Sequence, residues 1–286
     1  MMYLGIGSKV HFKSMSDMKV VMVSVTSDIG LALANHWQNK NFNIYGTFRS
    51  ISPELRKVEN RGGIFVPCDL SDPESIKKAC QELWDLNFTW DILVLCPGTM
   101  LPIGSFTDTN FQEWRRSIEI NFIAQLELIN NLLPLRNSNN KLEPLVLTFA
   151  GGGTNNATCN YSAYTISKIA LIKMMELLDA EIQDTRFSIV GPGWVKTKIH
   201  KETFSAGNKA GENLSETEKK LASDECTDIR QVLKFCDWIS TAPRGVIGGR
   251  NFSLVYDRWG SEELEEFLNK DPNAYKLRRS GNTVVV

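Results

Sequence analysis

The chain alternates short apolar stretches, rich in β-branched and aromatic residues, with longer amphipathic segments. The short stretches predict strands, and there are seven: Lys19–Val25, Phe42–Phe48, Gly63–Pro67, Ile92–Cys96, Leu145–Phe149, Phe187–Gly191 and Asn251–Val255. Most segments between them are long enough for a helix, as in Leu31–Asn39. This order favours right-handed β-α-β crossovers. We therefore predict an α/β fold with one doubly wound parallel sheet of about seven strands, flanked by helices.

The turn after the first strand is the first candidate binding feature. Its residues include Ser24, Thr26, Ser27, Asp28, Ile29 and Gly30. In a doubly wound sheet, the helix that follows such a turn presents backbone amides and the positive end of its dipole to the pyrophosphate of a dinucleotide. The turn therefore predicts a phosphate site. The sheet is then a Rossmann-type nucleotide-binding domain, which we expect to span residues 1–286.

Tyr164 and Lys168 stand four residues apart near the start of a strongly helical segment. On a helix, this spacing puts both side chains on one face. A lysine close to a tyrosine hydroxyl favours the phenolate, which lowers the phenol's pKa from about 10 towards neutrality. The pair is therefore a candidate general acid or base.

Five motifs, taken in order, make the chain resemble the short-chain dehydrogenase/reductase family. They are the turn at residues 24–30, Asp69 after the third strand, Asn121 inside a helix, Tyr164 with Lys168, and Pro192–Thr197 after the sixth strand. The resemblance extends from about Lys19 to Val255. It implies an oxidoreductase that transfers hydride between a nicotinamide cofactor and a carbonyl or alcohol.

The resemblance also implies roles for individual residues. Tyr164 would donate a proton to the substrate oxygen, and Lys168 would lower the pKa of Tyr164 and bind the nicotinamide ribose. Asn121 would hold a water molecule that feeds the proton relay. Besides the phosphate turn, Tyr164 and Lys168, the implied cofactor contacts are Arg49, Ser50, Asp69, Leu70, Cys96, Pro97, Gly98, Pro192, Gly193, Val195 and Thr197.

The chain departs from the family's pattern at the phosphate turn and after the fourth strand. Ser24 and Asp28 stand where the family has glycines, and only Gly30 is kept. Ser24 carries a Cβ where the backbone should approach the phosphates closely, which predicts weakened cofactor binding. The segment from Cys96 to Gly98 stands where the family has Asn-Ala-Gly, so an amide side chain that ties neighbouring strands together is lost.

A further departure follows the fifth strand, where the family usually carries a serine that binds the substrate carbonyl. The positions that align with this serine hold Ala150 and Gly151. Thr154 or Thr148 would supply a hydroxyl if the glycine-rich loop folds over differently, and backbone amides of the loop would donate to a developing oxyanion. The alternative is that the glycines only form a loop.

The end of the second strand bears on the choice of cofactor. Arg49 and Ser50 follow that strand, with no carboxylate to accept hydrogen bonds from a free ribose 2′-hydroxyl. An arginine there suits a 2′-phosphate. NADP(H) is therefore predicted over NAD(H).

Composition predicts a soluble, single-domain enzyme. The chain has 286 residues, 42% of them hydrophobic, and a net charge of −1, which argues against a nucleic-acid partner. Apolar runs stay below the roughly 20 residues that span a bilayer, and residues 1–17 lack the apolar core of a signal peptide. The six cysteines show no metal-ligand spacing. We expect a cytoplasmic protein with reduced thiols, no metal and no membrane partner.

Two late segments look specific to this chain. Residues 199–228 are polar and charged, and are predicted to form a flexible lid over a small polar substrate such as a sugar or nucleotide sugar, or else a disordered insert. In the tail at 258–286, Ser261–Lys270 predicts a short helix, and the residues after it would dock on a neighbouring subunit or fray. Surplus apolar surface on the Tyr164 helix favours a homodimer or homotetramer.

Three functional interpretations remain open from the sequence. The first is an NADP-dependent oxidoreductase that works through Tyr164, Lys168 and Asn121. The second is a cofactor-binding sensor or scaffold with impaired chemistry, which Ala150 and Gly151 favour. The third is a nucleotide-sugar epimerase or dehydratase, which tightly retained cofactor would favour.

Overall fold

The structure, a computed structural model, describes residues 17–280. Its centre is a seven-stranded sheet in the order β3-β2-β1-β4-β5-β6-β7, and every neighbouring pair is parallel. The strands are β1 Lys19–Val23, β2 Asn43–Phe48, β3 Ile64–Pro67, β4 Ile92–Leu95, β5 Leu145–Phe149, β6 Arg186–Gly191 and β7 Arg250–Ser253. The predicted fold class is confirmed, with all seven strands close to their predicted positions.

Helices cover both faces of the sheet. They are α1 Asp28–Gln38, α2 Pro53–Glu59, α3 Pro73–Asp85, α4 Phe111–Ile118, α5 Ala124–Leu132, α6 Ser162–Glu181, α7 His200–Ala206, α8 Glu212–Ala222, α9 Ile229–Thr241, α10 Arg244–Ile247 and α11 Glu262–Lys270. A π-helical turn, Glu119–Ile123, joins α4 to α5, and 3₁₀ turns occupy Leu133–Leu135 and Gly207–Ala210. Within the described residues, no helix is long and apolar enough to cross a membrane.

The two faces of the sheet carry separate cores because strand side chains alternate in direction. Val20 and Met22 of β1 pack with α1, α2 and α9, whereas Val21 and Val23 pack with α3, α5 and α6. The order of strands reverses between β1 and β4, which creates a crevice at the carboxyl ends of these strands. Ligands of doubly wound folds bind at such a crevice.

The first strand ends two residues before its predicted end. Ser24 has a φ of 58°, a left-handed conformation that bends the chain into the turn before α1. Ser27 then caps α1, accepting a hydrogen bond from the Gly30 N–H at 3.0 Å.

The segment predicted as a lid is helical. It contains α7, a 3₁₀ turn and α8, so the alternative of a disordered insert is not what the structure shows. Polar contacts hold it: the Tyr161 and Thr203 hydroxyls lie 2.9 Å apart, and the Asn213 amide donates to the Cys159 carbonyl at 3.0 Å. Its movement as a lid stays a prediction.

The C-terminal tail folds back on its own chain, and its docking on a neighbouring subunit stays a prediction. The Asn251 N–H donates to the Tyr275 carbonyl at 2.8 Å, and Arg278 pairs with Glu176 of α6 at 2.8 Å. The predicted helix forms, with Leu264 and Leu268 buried and Phe267 half exposed. Residues 284–286 of the predicted docking segment lie outside the described residues.

Candidate active site

A groove with a volume of about 2260 Å³ runs along the carboxyl ends of the strands. This exceeds the roughly 300–1,000 Å³ of pockets for drug-sized ligands and leaves room for a dinucleotide together with a substrate. Nearly all the predicted site residues line it. The exceptions are Gly30, Ser50 and Asn121.

At the phosphate turn, the backbone is held in a conformation that suits glycine better than serine. The Ser24 N–H donates to the Thr47 hydroxyl at 3.2 Å, and the Ser24 carbonyl accepts from the Ser27 N–H at 2.9 Å. Gly30 lies below the groove. A Cβ there would lie 2.7 Å from the Ser27 Oγ and 2.8 Å from the Val25 carbonyl oxygen, so this glycine is required by close packing of helix against strand.

Lys198 reaches this turn from the loop between β6 and α7. Its backbone N–H donates to Asp28 Oδ2 at 2.5 Å, and its Nζ donates to the Thr26 carbonyl at 2.6 Å. Lys198 lies one residue before the segment predicted as a lid. Nothing in the local pattern indicated that a residue 170 positions away would contact the phosphate turn.

At the adenosine end, Arg49 is exposed at the groove wall, and Asp69 follows β3. Asp69 Oδ1 accepts hydrogen bonds from the Ser71 N–H at 2.9 Å and the Ser71 hydroxyl at 2.8 Å. The backbone hydrogen bond from Ser71 lowers the pKa of Asp69, with smaller contributions from Arg49 and Arg116. Asp69 is therefore an ionised acceptor in this part of the groove.

Tyr164 and Lys168 both lie on α6 and face the groove, with Lys168 Nζ 5.9 Å from the centroid of the Tyr164 ring. The Lys168 Nζ donates to the carbonyls of Pro97 at 3.2 Å and Phe149 at 3.1 Å. Lys168 is only 3% exposed. Burial lowers the pKa of Lys168 to about 8.

The pKa of Tyr164 differs from the sequence expectation. Burial raises the pKa of Tyr164 to about 12, and the Glu202 carboxylate adds to the effect. The expected decrease depended on Lys168, but the Lys168 ammonium is turned to two backbone carbonyls. Desolvation of the phenolate therefore outweighs its attraction to the lysine. Tyr164 holds its proton at neutral pH, which suits a proton donor.

Gly151 is the position that faces Tyr164 where the family usually has serine. A Cβ on Gly151 would lie 2.7 Å from the Tyr164 hydroxyl oxygen and 2.8 Å from two ring carbons. Ala150 instead packs into the core. Thr154 lines the groove, whereas Thr148 is fully buried outside it, so of the two candidate hydroxyls only that of Thr154 is placed at the groove.

Asn121 lies in the π-helical turn and is fully buried. Its Oδ1 accepts from the Thr99 N–H at 2.9 Å, and its Nδ2 donates to the Thr99 carbonyl at 2.8 Å and the Ser117 hydroxyl at 3.1 Å. These bonds occupy both amide protons. The side chain therefore holds the loop after β4, and its predicted water-binding role stays a prediction.

Glu202 of α7 was not singled out from the sequence. It lines the groove, and its carboxylate accepts from the Thr99 hydroxyl at 3.1 Å and the Met100 N–H at 2.5 Å. Burial raises the pKa of Glu202 despite these bonds. Asn121, Thr99 and Glu202 thus form a continuous link from the π-helical turn to α7.

At the other end of the cofactor site, Pro192, Gly193, Val195 and Thr197 line the groove after β6. Gly193 has a φ of 73°, and a Cβ there would lie 2.6 Å from both the Thr227 hydroxyl oxygen and a methyl carbon of Val255. The turn therefore requires glycine.

The donor set fits a nicotinamide dinucleotide phosphate. Arg49 supplies a cation for a 2′-phosphate, and Lys168 uses two of its three protons on carbonyls and keeps one for a ribose hydroxyl. The backbone of the turn and the start of α1 supply amides for the pyrophosphate. At the pyrophosphate itself, the Asp28 carboxylate opposes this ligand.

The chain is similar in sequence to known oxidoreductases. A family model described as enoyl-(acyl carrier protein) reductase matches residues 23–248. An uncharacterised oxidoreductase of Schizosaccharomyces pombe is 28% identical over 198 residues, which cover 67% of this chain and 76% of that protein. An NADP-dependent 3-hydroxy acid dehydrogenase of the same yeast is 25% identical over 193 residues, covering 67% and 73% of the two chains.

Solved structures show the same fold. A short-chain dehydrogenase/reductase of Saccharomyces cerevisiae superposes with a TM-score of 0.72 at 20% identity, covering 87% of this chain and 99% of that chain. A short-chain dehydrogenase of Shigella flexneri complexed with NADP superposes with a TM-score of 0.69 at 19% identity, covering 84% and 97%. The chain belongs to the short-chain dehydrogenase/reductase family and is an NAD(P)-dependent oxidoreductase.

Proposed function

We propose that the protein is an NADP-dependent reductase that acts on the carbonyl group of a small polar substrate, with sugars and nucleotide sugars as the candidate class. The observation that carries this proposal is the pairing of Tyr164 with a buried Lys168, whose Nζ lies 5.9 Å from the Tyr164 ring centroid, at the wall of a dinucleotide-sized groove. Arg49 at the groove wall supports NADP(H) over NAD(H).

In this reaction the bound nicotinamide supplies the hydride. Tyr164 donates its hydroxyl proton to the substrate oxygen as negative charge develops there. The positive charge of Lys168 lies 5.9 Å from the Tyr164 ring and stabilises the phenolate that remains. Backbone amides of the glycine-rich loop stand in for the serine hydroxyl as donors to the oxyanion.

The outer part of the groove supports a polar substrate. Its walls carry four asparagine side chains and both signs of charge, from Asn155, Asn156, Asn160, Asn213, Lys209 and Glu212. Amides and charged groups bind hydroxyl groups and sugar rings by hydrogen bonds rather than by burial of apolar surface. The residues come from the glycine-rich loop and from the α7–α8 segment.

The first test is NADPH oxidation by the purified protein over a panel of ketones, keto-sugars and nucleotide keto-sugars. Tyr164→Phe is expected to reduce kcat/KM by about 10²–10⁴-fold, the usual contribution of a positioned general acid. Tyr45→Phe is the matched control, since Tyr45 stacks on Phe88 away from the groove. Equal turnover in wild type and Tyr164→Phe would refute the role of Tyr164.

The cofactor preference has its own test. Arg49→Ala is expected to weaken NADPH binding at least tenfold and to leave NADH binding unchanged, because only NADPH carries the 2′-phosphate. Titration of the two nucleotides against protein fluorescence measures both dissociation constants. Equal loss for both nucleotides would contradict the assignment.

Two other functions have specific support. The close packing of Gly151 against Tyr164 leaves no room for the family's serine and favours a sensor or scaffold that binds NADP without turnover. The contact of Lys198 with the phosphate turn would slow cofactor release and favours an epimerase or dehydratase, whose hydride must return within one turnover. NADPH binding without turnover would support the first. Cofactor that survives purification would support the second.

Assembly as a homodimer is part of the proposal. Ile123, Ile166 and Leu177 are 42%, 48% and 43% exposed on the π-helical turn and α6, which supports pairing through these elements. The outer edge of β7 donates to Tyr275 and Asp257 of its own chain, which disfavours a tetramer built on that edge. Light scattering on the purified protein measures the mass of the assembly.

All six cysteines are free thiols, which supports a reducing, cytoplasmic location.

A further inference from the structure

Asp28 introduces a negative charge where a cofactor of the proposed function would place its pyrophosphate. It is the first residue of α1 and lines the groove, and its side chain is 37% exposed. A carboxylate at a helix N-terminus interacts favourably with the helix dipole, and there it competes with any other anion for the same partial positive charge. Left alone, Asp28 would repel a dinucleotide.

Lys198 makes three contacts with the phosphate turn. Its N–H donates to Asp28 Oδ2 at 2.5 Å, its Nζ lies 4.0 Å from Asp28 Oδ1, and the same Nζ donates to the Thr26 carbonyl at 2.6 Å. We call Lys198 with Thr26 and Asp28 the Lys198 bridge. The bridge joins the loop before α7 to the turn before α1.

The Lys198 side chain is 57% exposed, so its ammonium has protons left for another acceptor. The bridge also adjoins a small cavity of about 420 Å³, lined by Asp28, Lys196, Thr197, Lys198, Lys201 and Leu221. Three lysines and one carboxylate give this cavity a net positive charge.

We infer that Lys198 replaces the lost glycine of the phosphate turn as a binding residue for the cofactor's diphosphate. The lysine cancels the charge of Asp28 and supplies a cation, where the family's pattern has a bare backbone. Charge-assisted hydrogen bonds to phosphate are roughly twice as strong as neutral ones. This inference rests on the proposed function only in that the groove must bind NADP(H).

The bridge has a second consequence, because Lys198 lies two residues before α7. Glu202 of α7 holds Thr99 and Met100 at the substrate side of the groove. A diphosphate bound at Lys198 would therefore lie next to the segment that leads into α7.

The test is a double-mutant cycle on the full chain, with NADPH dissociation constants measured by fluorescence titration. Lys198→Ala is expected to weaken binding about tenfold or more, since it removes the cation and exposes the Asp28 carboxylate to the diphosphate. Asp28→Gly is expected to bind at least as tightly as wild type. The combined variant Asp28→Gly with Lys198→Ala is expected to regain most of the lost affinity.

Two further variants separate charge from folding. Lys198→Arg keeps the charge and is expected to bind within about threefold of wild type. Lys77→Ala, an exposed lysine on α3 far from the groove wall, is the matched control. Each variant is first checked by its thermal unfolding midpoint. The dissociation constant of wild type is expected to rise more steeply with salt than that of Lys198→Ala.

The outcomes distinguish the inference from the proposed function. Wild-type protein that fails to bind NADPH or NADH would refute the proposed cofactor and the inference with it. If Lys198→Ala bound NADPH as tightly as wild type, the inference would be refuted while the proposed cofactor would stand. A combined variant as weak as Lys198→Ala would show that Asp28 is not the charge that Lys198 offsets, which would also overturn it.

Discussion

Restoring a serine at position 151 is expected to damage the site, although the family usually carries one there. A Cβ on Gly151 would lie 2.7 Å from the Tyr164 hydroxyl oxygen and 2.8 Å from two ring carbons. Contacts between such atoms are normally about 3.5–4.0 Å, so the ring or the loop would have to move by roughly 1 Å. Overpacking of this kind costs about 1–3 kcal/mol.

These magnitudes translate into two measurements on Gly151→Ser. In a protein of this size 1 kcal/mol corresponds to about 2–4 °C, so Tm is expected to fall by about 2–12 °C. A displacement of about 1 Å at the proton donor is expected to lower kcat/KM about hundredfold. Circular dichroism melting and initial rates of NADPH oxidation provide the two values.

Gly152→Ser is the matched control in the same loop. A Cβ on Gly152 meets no atom within 4 Å, so this variant is expected to keep the wild-type Tm and turnover. If Gly151→Ser instead raised kcat/KM at an unchanged Tm, the loop would have accommodated the serine. The argument that Tyr164 occupies the serine's space would then be wrong.

Three other substitutions test separate parts of the structure. Ser24→Gly is expected to raise the free energy of unfolding by about 0.5–1 kcal/mol. The reason is that removing the strain of a serine in the left-handed conformation gains more than the conformational entropy of glycine costs. A lower free energy of unfolding in urea denaturation would contradict this. Burial lowers the pKa of Lys168 to about 8, whereas an unfolded lysine titrates near about 10.4. The unfolded state therefore binds more protons between these values, and stability rises with pH across that window. Lys168→Met is expected to remove this rise in stability and to stabilise the cofactor-free protein at pH values below the window. Urea unfolding midpoints at the two ends of the pH window measure both effects. If the stability of the variant rose with pH as steeply as that of wild type, other groups would be responsible. Asn121→Ala is expected to destabilise the fold by about 1–3 kcal/mol, because the Thr99 N–H and carbonyl lose their partners, and Asn131→Ala on α5 is the control whose equal loss would argue against a special role.

The sequence predicted the sheet well because parallel buried strands carry a strong local signal. Each of the seven predicted stretches overlaps a strand, and the turn at residues 24–30 leads into α1 as expected. The predicted groove residues also come together, since the carboxyl ends of parallel strands meet at one edge of the sheet. Residue type and order were sufficient for these features.

The features that the sequence missed depend on contacts between distant residues. Lys198 meets Thr26 and Asp28, and Glu202 meets Thr99 and Met100, across more than a hundred positions in each case. The polar composition of the α7–α8 segment predicted a flexible lid, but a few apolar residues of the segment, such as Ala210, pack with Met100 and Ile103 and add to its hydroxyl and amide contacts. The predicted shift in the pKa of Tyr164 had the wrong direction, because the spacing of residues along the chain does not show that the phenol is buried.

Each departure from the family's pattern is accompanied by a contact that this chain makes at the altered position. The N–H of the strained Ser24 donates to the Thr47 hydroxyl, and Asp28 in the phosphate turn is held by Lys198. At Gly151 the missing side chain is matched by the Tyr164 ring, which packs against the bare backbone. The same packing leaves no room for a serine, so an oxyanion would depend on backbone amides of the loop. The contacts of Lys198 with Asp28 and Thr26 favour a groove that still binds a diphosphate, and NADPH turnover decides between an enzyme and a sensor.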